Sequence, residues 1–167
     1  MKIWISNRQR KTALDPATVR KKARKILDAL GWADAELSLT LVGDRAMSRL
    51  NRATFGRTGP TNVIAFPVDA PGETDGSPRG GQRPPGKAAG PPPVLGEVVI
   101  SLETTRRQAE ETGWPWEELF DFFLIHGILH LTGYDHDTPE KEAAMTARTW
   151  ELMEMIRGGE GLEPAAP

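Results

Sequence analysis

At 167 residues, with 26% charged, a net charge of -2 and no cysteine, the chain has the size of one globular domain and excludes disulfides and thiolate catalysis. The opening Met1-Lys-Ile-Trp-Ile-Ser6 is too short and too polar downstream for a signal peptide. No apolar run approaches the roughly 20 residues that span a bilayer, so a cytoplasmic protein without a membrane role is expected.

Ile3 and Ile5 alternate with polar neighbours as a first strand. Asp15 as N-cap, Pro16 at the first helical position and Gly31 as the stop punctuate a first helix, whose apolar stripe is Val19, Ala23, Ile26, Leu27 and Leu30. Arg20, Lys21, Lys22, Arg24 and Lys25 cover its other side. They belong to a wider segregation, since residues 1–57 hold 13 Lys/Arg against 5 Asp/Glu and the remainder 8 against 18. Such asymmetry fits a basic surface facing a polyanion or simply a solvated helix face.

Leu37, Leu39 and Leu41 alternate as a second strand, and Asp44 is read as the cap of a helix through Ala46, Met47 and Leu50 that ends near Gly56. A third strand runs through Val63–Phe66. Residues 70–93, rich in Pro and Gly, read as an exposed flexible insertion. A fourth strand at Val94–Ile100 and a short helix at about 101–112 follow. Pro115 opens a helix whose stretch Leu119–Leu131 is apolar nearly all round, which predicts burial at the centre. Thr138-Pro139 starts a last helix through Ala143, Ala147, Trp150 and Met153, and 158–167 read as a disordered tail. The expected fold is α+β: one domain over 1–157, with a mixed four-stranded sheet, about five helices and a buried central metal-binding helix.

The chain's three histidines all lie in His126-Gly-Ile-Leu-His130-Leu-Thr-Gly133-Tyr-Asp-His136. Four residues apart on a helix, His126 and His130 share a face, and Gly133 allows the sharp turn that carries His136 back. Two imidazoles inside so apolar a helix need their ring nitrogens satisfied, and a shared cation does that. Three His and no fourth protein ligand describe a catalytic site for one Zn²⁺ per chain, holding a water. Asp135 and Asp137 are candidates to orient the rings or are solvated turn carboxylates. The spacing is also that of metzincin proteases, but those need a Glu directly after the first His, where this chain has Gly127.

The histidine block resembles the signature of the YbeY family of bacterial rRNA-maturation endoribonucleases. Leu50-Asn51 with Thr61-Asn-Val-Ile-Ala-Phe-Pro67, and Leu95-Gly-Glu-Val-Val-Ile-Ser101, are similar to two further family segments in the same order. The chain departs from the family pattern at Glu97 (usually Asp), Ala65 (usually Ser) and Phe55 (usually a functional Arg). The resemblance implies a zinc-dependent, single-strand-specific endoribonuclease acting on rRNA, chiefly at the small-subunit 3′ end, and in ribosome quality control. It implies as partners single-stranded RNA, the small ribosomal subunit and its assembly factors; DNA is not expected. Arg57, or else Arg52, then becomes the candidate guanidinium in place of the family Arg. Arg20, Lys21, Lys22, Arg24, Lys25 and Arg52 become candidates for the RNA backbone. Two alternatives stay open: a ribosome-assembly binding factor with little nuclease activity, and a metal-dependent peptide hydrolase.

Overall fold

A computed structural model describes residues 2–68 and 93–157. The expected insertion, apart from Pro93, and the expected tail lie outside the described residues. The elements are β1 (Lys2–Asn7), α1 (Pro16–Ala29), β2 (Glu36–Val42), α2 (Asp44–Phe55), β3 (Val63–Pro67), β4 (Val94–Ser101), α3 (Leu102–Thr112), α4 (Trp116–Leu131) and α5 (Pro139–Ile156). The strands form one sheet in the order β1-β2-β4-β3. β1, β2 and β4 run parallel, and β3 pairs antiparallel to β4, so the expected mixed four-stranded α+β architecture is present.

Alternation along the strands divides the core. Leu37, Leu39, Leu41, Val98 and Ile100 face a large cluster closed by side chains of α1, α3, α4 and α5. Val42, Ile64 and Val99 turn to the opposite face, where Met47 of α2 covers them. α4 lies at the centre, against β3, β4, α1, α3 and α5. From Leu119 to Leu131 it is packed against protein on nearly every side, the two histidines excepted, which is why it shows no polar face.

One polar residue, Asp121, is buried in α4 and accepts from Lys22 Nζ at 2.9 and 3.2 Å. Burial raises the Asp121 carboxyl pKa, and the charges of Lys22 and Arg157 oppose that rise. This pairing corrects the reading of α1 as a wholly free basic face. Lys22 is turned to the core and Arg20 Nε reaches the Ile3 carbonyl at 3.4 Å, whereas Lys21, Arg24 and Lys25 are exposed. In α5 the buried stripe is Met145, Thr149, Leu152 and Met153; Ala143 and Ala147 face solvent.

The expected cap of α2 is also corrected. Gly43 is the N-cap, without a side-chain bond, and Asp44 is the first helical residue. The Asp44 N–H donates instead to Glu103 Oε1 at 3.0 Å. The Asp44 carboxylate accepts from Ser101 Oγ at 2.8 Å, Thr104 Oγ1 at 2.6 Å and Arg107 Nη1 at 2.7 Å, tying α2 to the start of α3. Burial alone would raise its pKa, but these bonds outweigh burial and hold it below the usual carboxylate value. Asp44→Ala should therefore cost about 2 kcal/mol at neutral pH, mostly from the two hydroxyl bonds, because water screens Arg107. The folded pKa is depressed, so this stability is complete above the unfolded value of about 3.9 and lost as pH falls through the folded one. Urea unfolding should show the wild type's advantage at pH 7 shrinking as pH falls below about 3.9; a gap that is constant with pH would contradict this role.

Candidate metal centre

The last turn of α4 builds the site. The helix ends at Leu131 with Thr132 as C-cap. Gly133 takes φ 105°, a conformation that side chains disfavour. Its N–H donates to the His130 carbonyl at 3.2 Å and the Tyr134 N–H donates to that of Leu129 at 3.0 Å, so the reversal also satisfies helix-end carbonyls. The chain then returns over the helix end with His136, and the Asp135 carboxylate accepts from the Asp137 N–H at 2.8 Å before Thr138 caps α5.

The reversal brings the three imidazoles together. Nε2 of His126 and of His130 are 3.1 Å apart, and the ring centroids lie at 4.6 Å (His126–His130), 5.2 Å (His130–His136) and 6.2 Å (His126–His136). Two tetrahedral zinc ligands at 2.0–2.1 Å from the ion place their nitrogens about 3.3 Å apart, so the helical pair already has the needed spacing. His136 stands further off, and among the described residues no three His, Asp or Glu side chains are set around one point as placed. Burial first, then His130 and His136, push His126 down to about 4. Burial and His136 also lower His130, against the opposing pull of the Tyr134 backbone, Asp135 and Asp137. Both helical imidazoles are thus neutral at neutral pH, the state in which a ring nitrogen can bind a cation.

The rings open into a cleft of about 460 Å³ between the end of α2, the following loop, β3 and the α4–α5 turn. Phe55, Arg57, Thr61, Ala65 and Tyr134 line it beside the histidines. Arg57 is exposed, with its guanidinium carbon 5.8 Å from the Phe55 ring centroid, a contact worth roughly 0.5–1 kcal/mol at such a site. Arg52 is not among the lining residues, so of the two candidate guanidinium groups the fold brings Arg57 to the cleft. The loop that carries it is clamped by Asn51, buried in α2, whose Nδ2 donates to the Gly59 carbonyl at 3.0 Å. Asn51 belongs to the Leu50-Asn51 motif, the only sequence signal of this positioning role. None of the basic residues of α1 lines the cleft; α1 packs on β1, at the sheet edge opposite β3.

Gly127 explains why the metzincin arrangement fails here. A Cβ on Gly127 would lie 2.5 Å from Val98 Cγ1 and 3.3 Å from Val63 Cγ2, so the sheet leaves no room for a Glu. A family profile described as Endoribonuclease YbeY matches residues 4–157. The chain belongs to the YbeY endoribonuclease family. It is similar to Endoribonuclease YbeY of Geobacter sulfurreducens, at 40% identity over 95% of this chain and 98% of the relative. The YbeY of Syntrophus aciditrophicus is 34% identical over 95% of this chain and 91% of its own length. The fold is similar to the solution structure of a Thermotoga maritima protein, with a TM-score of 0.64 at 22% identity and 99% coverage of both chains. Of the departures from the YbeY pattern, Phe55 and Ala65 line the cleft, whereas Glu97 accepts the Thr40 hydroxyl at 2.6 Å outside it.

Proposed function

We propose that this YbeY member is a single-strand-specific, metal-dependent endoribonuclease that matures rRNA ends, chiefly the small-subunit 3′ end, and takes part in ribosome quality control. The observation that carries this reading is the convergence of three histidines and Arg57 on one open cleft in a chain of this family. His126, His130 and His136 would hold one Zn²⁺, which when bound supplies a Lewis acid for a phosphoryl oxygen and acidifies a water. The negative charges of Asp135 and Asp137 favour positive charge at His130, which would support a cation held on that ring.

Arg57 is the group that meets the phosphate. Its contact with Phe55 is weak, so the guanidinium can leave the ring and form paired hydrogen bonds to a phosphodiester as charge develops. Lys21, Arg24 and Lys25 remain the part of the α1 basic face free to follow an RNA backbone, across the molecule from the cleft. The substrate partners are rRNA and the small subunit with its assembly factors, in the cytoplasm; among the described residues no helix is long and apolar enough to cross a membrane. The binding-factor reading is weaker because it gives no use to an open cleft lined by neutral imidazoles.

The test is cleavage of short single-stranded RNA by metal-verified protein. Arg57→Ala should lower kcat by about a hundredfold or more, as loss of one donor to a developing oxyanion does, with little change in RNA affinity. A wild-type protein carrying its metal that leaves RNA intact would overturn the nuclease reading.

A further inference from the structure

Among the described residues, Trp4, Phe55, Val68 and Val94 are the large apolar side chains left exposed, and of these Phe55 lines the cleft. The ring is 53% exposed on the last turn of α2, even with Arg57 beside it. It belongs to neither hydrophobic cluster, so its place is not explained by the core. What the cleft offers at this point is a flat π-surface, a guanidinium next to it and the three histidine rings beyond. A nucleobase joined to a phosphodiester matches all three: the base takes the ring, and the linkage beside it lies between the guanidinium and the imidazoles. An aliphatic or peptide side chain would use the ring alone.

We propose that Phe55 is a base-stacking platform that seats one unpaired RNA base beside the site of cleavage. The proposal rests on the endoribonuclease reading and adds to it how the substrate is held. A stacked base is recognised by its π-face, which every base has and purines have in larger area. An aromatic ring at position 55, where a charged side chain would add a phosphate contact, makes binding depend more on the base and less on salt. The platform also selects single strands, because a paired base has no free face to give.

The probe is a short single-stranded 2′-O-methyl phosphorothioate RNA carrying 2-aminopurine at successive positions, with matched oligomers abasic at each position. Wild type should change 2-aminopurine fluorescence at one position, and Phe55→Ala should abolish that change and weaken binding about tenfold. The same variant should bind the RNA abasic at that position as wild type does. Phe55→Trp should restore both signals, and Phe55→Arg should remove base dependence while steepening the logarithmic salt slope by about 0.7.

Unchanged affinity in Phe55→Ala, or an equal loss on abasic RNA, would overturn the platform. Cleavage of unmodified RNA by wild type, run in parallel, separates the two readings. A protein that cuts RNA but binds it independently of Phe55 refutes only the platform. One that stacks the base through Phe55 but never cuts refutes only the nuclease reading.

Discussion

His126→Ala should reduce RNA cleavage to background while leaving a folded domain. His126 is a neutral base driven to a pKa of about 4 by burial and by two neighbouring imidazoles, so without a cation it contributes little to holding α4 in place. Its removal should cost the metal-free protein no more than about 1 kcal/mol. Metal analysis should show loss of the bound ion, and chelator should lower the Tm of wild type but not of the variant.

The pH dependence has a defined sign. The folded pKa is below the unfolded value of about 6.5, so the unfolded chain takes up the proton first. Stability that is complete above pH 6.5 is then lost as pH falls towards 4. His126→Ala should flatten this part of the acid-unfolding profile in metal-free protein. Retained cleavage with bound metal would remove His126 from the ligand set.

Gly127→Ala should destabilise, although alanine is favoured over glycine in a helix by about 1 kcal/mol. The new methyl would lie 2.5 Å from Cγ1 and 3.0 Å from Cγ2 of Val98, a fully buried residue on β4. A β-branched side chain with a stiff χ1 cannot swing away, so helix and sheet must separate. Overpacking of this kind costs up to about 3 kcal/mol, leaving a net loss of about 2 kcal/mol after the propensity gain. For a chain of this size that lowers Tm by roughly 4–8 °C. Because His126 precedes this residue on the same turn, cleavage should fall as well. Val98→Ala opens the space, and the double variant should be more stable than the sum of the single effects allows. A Gly127→Ala protein with a wild-type or higher Tm would show that the interface yields.

Much of the fold was legible because its signals are local. Asp15-Pro16 and Thr138-Pro139 start helices at the expected residues, and alternation in Leu37, Leu39 and Leu41 marks a strand with one buried face. The mixed sheet follows from element order and the centrality of α4 from its apolar composition. The histidine spacing could be read for the same reason: helical pitch and a glycine turn act within eleven residues.

What could not be read depends on partners far away in the chain. Lys22 has the sequence context of a solvated face, and only the packing of α1 on α4 brings it to Asp121, 99 positions on. Asp44 looks like a helix cap until Thr104, 60 positions on, claims its carboxylate. Gly127 reads as a missing general base, but its cause is Val98 on the sheet.

The sequence by itself determined the elements, the family and the histidine cluster, because caps, periodicity and ligand spacing act over a few residues. The tertiary structure alone decided that Arg57 and Phe55, not Arg52 or the α1 lysines, reach the cleft. Strand order and helix packing set those distances, and no local pattern encodes them.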